Sequence, residues 1–199
     1  CFTDYGRRIK SMDIKKFSLF PTLVLSFPNF ISSKDCNKIF KLLKTKKRHA
    51  HAAFIKGKSN HSSYVHTDIL SDLSISLNKP LEEYADQTKI KIDNKIRNSW
   101  FNIQDKESIL KDHVHPDSVL SGAIFINVGK KASKLYFHNP NPFSYFTPKN
   151  EPLNEYTYEW CCFNPCKGDL IIFPSWLKHG SNQDKNFYNN RTVISFNAF

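Results

Sequence analysis

Apolar and polar positions keep two different rhythms along this chain. In the first half, SSKDCNKIFKLLKTKKR (32–48) places Ile39, Leu42 and Leu43 on one helical face, with Ser32 or Ser33 as the N-cap. KPLEEYADQTKIKI (79–92) predicts a second helix, with Pro80 in its first turn and acidic residues just behind, where they suit the positive end of a helix. Around these lie a first strand, LFPTLVLSF (19–27), and a polar loop, GKSNHSS (57–63). Residues 1–16 are polar and basic and predict a partly disordered start.

From residue 97 the rhythm changes. RNSWFNIQ (97–104), SILKDHVH (108–115), VLSGAIFINV (119–128), SKLYFHN (133–139), YTYEWCCF (156–163), GDLIIFP (168–174) and RTVISFNAF (191–199) all predict strands. The turns between them carry Pro, Asn, Gly and Asp. Many short strands at regular spacing predict a sandwich or jelly roll. The fold class is therefore mainly β with flanking helices. A length of 199 residues suffices for one domain with a real core. A composition 40% hydrophobic and 24% charged excludes a disordered chain, and 14% aromatic residues favour sheet.

The net charge is +11, from 29 basic and 18 acidic residues. Such a balance suits nucleic acid or an anionic substrate. The lysines are spread out, however, with the densest run, KLLKTKKRH (41–49), on the first predicted helix. The five cysteines are Cys1, Cys36, Cys161, Cys162 and Cys166. Their odd number, with no visible signal peptide, predicts reduced thiols and a cytoplasmic setting. WCCFNPC (160–166) lacks a second ligand pair, so it reads as buried strand residues plus a turn cysteine rather than a zinc site. No apolar run approaches the ~20 residues needed to span a membrane.

The chemistry concentrates in two stretches. In DHVHPDSVLSGAIFI (112–126), His113 and His115 stand two apart. Residues i and i+2 of a strand share a face, and Pro116 ends the pairing because it has no N–H. Two imidazoles at a strand mouth suit a first-row metal ion. In GDLIIFPSWLKHG, His179 follows an apolar strand, and Arg191 comes 12 residues later at the start of the last one. The intervening loop lets His179 and Arg191 lie on adjacent strands near one end of the sheet. A metal there takes a chelating oxo-acid, and the guanidinium holds its far carboxylate.

These motifs resemble the Fe(II)/2-oxoglutarate-dependent dioxygenases, which carry an H-x-D/E pair, a distal His and a basic residue roughly ten positions on. SWFNI (99–103), HVHPDSVLSGAIFI (113–126), KLYFHNP (134–140) and GDLIIFPSWLKHG…RTVISFN (168–197) are similar to a small 2-oxoglutarate/Fe(II) oxygenase family whose first motif reads H-x-H-P. The resemblance is close over 97–199 and loose before it. It implies a double-stranded β-helix, a cupin-like jelly roll, over residues 97–199 carrying the metal site. Residues 1–96 then supply a strand and supporting helices within one domain spanning 1–199. It implies Fe(II), 2-oxoglutarate and dioxygen as cofactors, and oxidation of a substrate coupled to decarboxylation of 2-oxoglutarate to succinate. The substrate itself is not readable: a peptide or a small molecule is favoured, with a nucleic-acid base as the further option.

The usual ligand set has two histidines and one carboxylate. Here the slot after His113 holds His115. One set is His113, His115 and His179; the other shifts the frame to His115, Asp117 and His179. Asp117 follows Pro116 with only Ser118 before the next strand, so it suits a turn cap better than a ligand. Arg191 is the anchor for the distal carboxylate. Asn102, 11 residues before His113, and Ser121 are further 2-oxoglutarate contacts. Val193, Ser195 and Asn197 alternate with Arg191 on its face. His66 and Asp68 form a literal H-x-D but lie in the helical half and read as loop or edge strand. His138 reads as a strand-end residue, and His49, His51 and His61 as surface or loop. Trp100 and Trp176 suit core or pocket wall, and 139–156 a substrate loop or plain connection. Two alternatives stand beside the enzyme: a non-catalytic metal-binding jelly roll, and a basic nucleic-acid-binding β domain.

Overall fold

The computed structural model describes residues 20–60, 65–93, 95–141, 157–181 and 184–199. In chain order the elements are β1 (Leu25–Phe27), α1 (Ser33–Thr45), β2 (His49–Ala50), β3 (Phe54–Ser59) and a π-helical turn (His66–Leu70). Then come α2 (Asn78–Thr88), β4 (Ile96–Leu110), β5 (Leu120–Asn127), β6 (Leu135–His138) and β7 (Trp160–Phe163). β8 (Leu170–Pro174), β9 (His179–Gly180) and β10 (Arg191–Ala198) complete the chain. The expectations for residues 1–16, His61 and most of 139–156 lie outside the described residues.

Both helices form where the pattern put them, but shorter. Ser32 is the N-cap of α1, its Oγ accepting the Asp35 N–H at 3.1 Å. Cys36, Ile39 and Leu43 are buried, while Leu42 stays 42% exposed. α2 stops at Thr88 because Lys89 turns left-handed (φ 57°), so Ile90 and Ile92 fall beyond it.

A seven-stranded antiparallel sheet in the order β1-β8-β5-β10-β4-β3-β2 faces a three-stranded one in the order β7-β6-β9. This is the two-sheet jelly roll that the strand spacing predicted. The N-terminal half supplies both edges of the large sheet, β1 beside β8 and β3 beside β4. α1 and α2 cover one face of that sheet. Ile39, Leu43, Leu81 and Tyr84 pack there against Phe101, Ile124, Ile172, Ile194 and Phe196. The other face meets the small sheet through Phe125, Leu135, Phe137, Ile171, Phe173 and Val193. β5 and β8 are apolar on both faces because both are covered, which is why VLSGAIFINV and LIIFP show runs rather than alternation.

Three strand expectations change. Residues 105–107 are not a turn: β4 runs unbroken through them, and Glu107 (φ 63°) absorbs a register shift against β3. Consequently 108–115 is no separate strand. It splits into the end of β4 and a free-standing segment that carries both histidines. Residues 57–59, read as loop, belong to β3 because Gly57, Lys58 and Ser59 pair with Gln104, Ile103 and Asn102. His66 and Asp68 sit in the π-helical turn rather than in a loop or edge strand.

The cysteine expectation also changes. Cys161, Cys162 and Cys166 are exposed, because β7 is an edge of the small sheet; Cys36 alone among the described cysteines is buried. Trp176 is likewise 57% exposed.

Gly122 sits opposite Phe196 on β10, and a Cβ there would run into the Phe196 ring. Phe196 is 1% exposed and cannot swing away. We expect Gly122→Ala to cost about 1–3 kcal/mol by overpacking. Adding Phe196→Leu should recover part of that loss in urea denaturation.

Candidate metal centre

After Leu110 the chain leaves the large sheet and crosses to β9. Its exit is pinned on both sides: Leu110 N–H donates to Ser181 Oγ (2.9 Å), and Ser181 N–H donates to Leu110 O (2.8 Å). Three residues after Leu110, His113 and His179 exchange backbone hydrogen bonds in an isolated bridge. His113 N–H reaches His179 O at 2.9 Å, and His179 N–H reaches His113 O at 3.0 Å. His115 N–H then donates to Ser175 O at 2.9 Å. The two histidines of the H-x-H pair are therefore placed by bonds to β9 and to the turn after β8.

The three rings converge. Centroids lie 4.4 Å apart for His113 and His179, 5.0 Å for His113 and His115, and 5.1 Å for His115 and His179. One ligand nitrogen from each lies within 4.8 Å of the other two. His113 Nδ1 sits 2.8 Å from Lys111 O, and His179 Nδ1 sits 2.8 Å from Leu177 O. A carbonyl accepts only from an N–H, so each Nδ1 carries the proton and each Nε2 presents a lone pair. Burial holds the His113 imidazole below its ordinary pKa. His179 is pushed well below, by burial first and then by repulsion from His113 and His115. Both effects favour neutral, ligating imidazoles.

Asp112 ties this segment to the small sheet. Its Oδ2 lies 2.8 Å from His138 Nε2, which makes His138 a structural strand-end residue. Its other oxygen is buried against Gly180. Only a glycine fits there: a Cβ would lie 2.9 Å from Asp112 Cα and 3.0 Å from its backbone nitrogen. Asp117 is elsewhere. It is exposed in the turn with φ 59°, its carbonyl accepts from Arg97, and it stands outside the group of converging donors.

The histidines open into a cavity of about 290 Å³ between the two sheets. Its floor is a two-strand ladder. Asn98, Trp100, Asn102 and Gln104 of β4 stand opposite Asn197, Ser195, Val193 and Arg191 of β10, and all eight line the cavity. His179 and Arg191 thus face each other from different sheets rather than from adjacent strands. Trp100 lies 5.6 Å from the His115 ring, and Phe173 meets His179 edge-on at 4.6 Å.

Arg191 closes one end. It is 5% exposed, its Nε donates to Ser133 O (3.2 Å), one terminal nitrogen donates to Gln104 Oε1 (2.5 Å), and it sits over the Phe125 ring. Burial pulls its pKa to about 10, with Asp184 opposing from a distance. It stays charged at neutral pH. Among the described residues no carboxylate pairs with it. Beside it, Gln104 Nε2 and Asn102 Oδ1 are buried without partners. Ser121 shares the cavity face of β5, but its hydroxyl is engaged by Ser175 Oγ and Asn197 Oδ1, both at 2.8 Å, and it does not line the cavity.

Two lining residues escaped the sequence. Gln104 stands two positions after Asn102, so the alternation that pointed to Asn102 also points to it. His51, expected at the surface, lines the cavity because β2 and β3 fold over it; no local signal marks that.

The family model for "Putative 2OG-Fe(II) oxygenase" matches residues 98–197. No curated protein sequence matches the chain. Among solved structures, HygX from Streptomyces hygroscopicus with nickel and 2-oxoglutarate bound superposes with TM-score 0.61 at 9% identity, covering 88% of this chain and 82% of that one. A Pseudomonas putida prolyl-4-hydroxylase superposes with TM-score 0.62 at 8% identity, covering 89% and 92%. The non-heme α-ketoglutarate-dependent epimerase SnoN from nogalamycin biosynthesis gives 0.63 at 10%, covering 88% and 75%. These likenesses establish the shared fold. With half its length matched by the family model, the chain belongs to the 2OG-Fe(II) oxygenases. It is an enzyme that uses Fe(II), 2-oxoglutarate and dioxygen.

The residues present fit those cofactors. His115 Nε2 and His179 Nε2 lie 3.2 Å apart. With metal–nitrogen bonds near ~2.1 Å, two imidazoles on one ion sit about 3.0–3.4 Å apart. The unpaired guanidinium and the orphaned Gln104 donor suit a carboxylate.

Replacing Gly180 with Ala should force Asp112 away from β9 and disturb the His113–His179 bridge. Weakening of about 10–100-fold is expected in Co(II) binding, read from the d–d absorption during titration.

Proposed function

We propose that His113, His115 and His179 hold the iron, and that Arg191, assisted by Gln104, holds the distal carboxylate of 2-oxoglutarate. The observation that carries this is the convergence of three imidazole nitrogens within 4.8 Å at a cavity that also contains a buried, carboxylate-free arginine. Asp117 is not a ligand in this reading. Bound there, Fe(II) would let dioxygen serve as the oxidant for both 2-oxoglutarate, which goes to succinate and carbon dioxide, and the substrate, one oxygen atom being used on each.

The chain's own residues do the rest. Lys111 O and Leu177 O hold the Nδ1 protons of His113 and His179, which keeps both Nε2 atoms aimed at the metal. Three neutral imidazoles and one guanidinium leave the site positive, which favours a dianionic oxo acid. Ala123, Phe125, Leu135, Phe173 and Val193 line the cavity and exclude water from the reacting centre. Asn102 offers its carboxamide between Arg191 and the histidines.

The other end of the cavity takes the substrate. Asn98, Trp100, Ser195 and Asn197 stand there, at the end of the β4–β10 ladder away from Arg191, and among the described residues no Asp, Glu or Lys lines the cavity. Ser121, expected to touch 2-oxoglutarate, instead positions Asn197: its hydroxyl takes up Asn197 Oδ1 and leaves the amide N–H groups for an acceptor on the substrate. A peptide or small molecule that offers a carbonyl or hydroxyl to Asn197 fits. The four described cysteines are free thiols, which suits a reducing, cytoplasmic setting. No helix among the described residues is long and apolar enough to cross a membrane.

Anaerobic titration with Fe(II) and 2-oxoglutarate tests the assignment through the visible charge-transfer band of the chelate, near ~500 nm. Wild type should show it and His179→Ala should not. Arg191→Ala should need at least about tenfold more 2-oxoglutarate, as expected for loss of a charge-assisted bidentate pair. A band unchanged in His179→Ala would overturn the ligand set. Asp117→Ala should keep the band; its loss there would restore the carboxylate alternative.

A further inference from the structure

Five lysines far apart in the chain meet in one hollow of about 580 Å³. Lys106 comes from the bulged part of β4, Lys130, Lys131 and Lys134 from the β5–β6 connection, and Lys185 from the segment before β10. The hollow shares no lining residue with the histidine cavity. It owes nothing to the ligand assignment above.

The lysines are held in place. Asn186 is fully buried and joins all three segments. Its Nδ2 donates to Asp105 O (2.8 Å) and Tyr188 O (2.7 Å), and its Oδ1 accepts from Ser133 N–H (3.4 Å). Phe187 N–H donates to Lys131 O at 2.9 Å, and Glu107 N–H donates to Asn186 O at 2.6 Å.

Among the described residues no carboxylate pairs with any of the five. The nearby Glu107 is taken by Lys56 at 2.5 Å. Asp184, the one acid among the described residues lining the hollow, accepts the Lys134 backbone N–H at 3.0 Å. Five ammonium groups against the single carboxylate of Asp184 leave an excess of like charge, whose free-energy cost a bound anion removes. Phe187 stands among them, 52% exposed. Ammonium groups carried on anchored backbone around an exposed aromatic ring suit a chain of phosphates carrying stackable bases. An acidic peptide would use the lysines and leave the ring idle.

We infer that this hollow binds single-stranded nucleic acid, with the lysines against its phosphates and a base stacked on Phe187. It is a docking site apart from the reacting centre.

The test is fluorescence anisotropy of labelled dT15 with the full chain. Wild type should bind, and three to five phosphate contacts predict a loss of about 10- to 100-fold between 50 and 200 mM salt. The Lys130→Glu/Lys131→Glu pair should bind at least about tenfold more weakly, and Phe187→Ala about tenfold, the size of a lost base stack. Lys41→Glu/Lys44→Glu on α1 should stay within about twofold. Melting curves check that each variant folds. No binding at 50 mM salt overturns the inference. So does binding lost in the α1 variant but kept in the hollow variants, because the charge on α1 would then be the site. An unaffected Phe187→Ala with equal competition by inorganic polyphosphate or poly-glutamate overturns the nucleic-acid assignment.

Discussion

The catalytic end of this molecule depends on two backbone hydrogen bonds. His113 and His179 exchange them where the chain crosses from the large sheet to the small one. A reciprocal pair of this kind fixes distance and orientation together, so two imidazoles arrive at one point with little freedom left. The rest follows from that crossing. Gly180 is glycine because Asp112 backbone occupies the space of its Cβ. Asp112 is within reach of His138 because the same crossing lays it along the small sheet. His115, two residues on, is brought back by Ser175 O and lies almost parallel to His179, with 7° between the ring planes.

The second constraint is electrostatic. A chain with net charge +11 builds a reacting cavity in which Arg191 is the one permanent charge among the described lining residues. Burial weakens the guanidinium's hold on its proton, to a pKa of about 10, without discharging it. The lysines lie elsewhere, five of them in a hollow stapled by Asn186. Bulk charge therefore describes the outside of this protein and says little about its chemistry.

Much of the architecture was legible. Periodicity located both helices and seven of the β segments, and alternation along RTVISFN put Arg191, Val193, Ser195 and Asn197 on the cavity face, where they lie. It failed where a strand had two possible partners. Residues 105–107 look like a turn locally, yet Asn186 holds them within β4, its amide donating to Asp105 O and its carbonyl accepting from Glu107 N–H. β9 is two residues long and has no periodicity to read. The exposed edge at Cys161 and Cys162 was missed for a related reason: a strand sequence does not say whether a neighbour will cover it.

What the sequence determined by itself was a set of chemical groups and a local rhythm. The H-x-H-P and FPSWLKH…R spacings, the helix caps and the period-2 faces are short-range properties, set by dihedral preference and side-chain direction. Which histidines meet, why Asp117 stays out, why Ser121 serves Asn197, and how Lys106, Lys130 and Lys185 become neighbours are decisions of tertiary structure. They turn on which sheet a segment joins, and that choice is made by burial and backbone pairing between residues far apart in the chain.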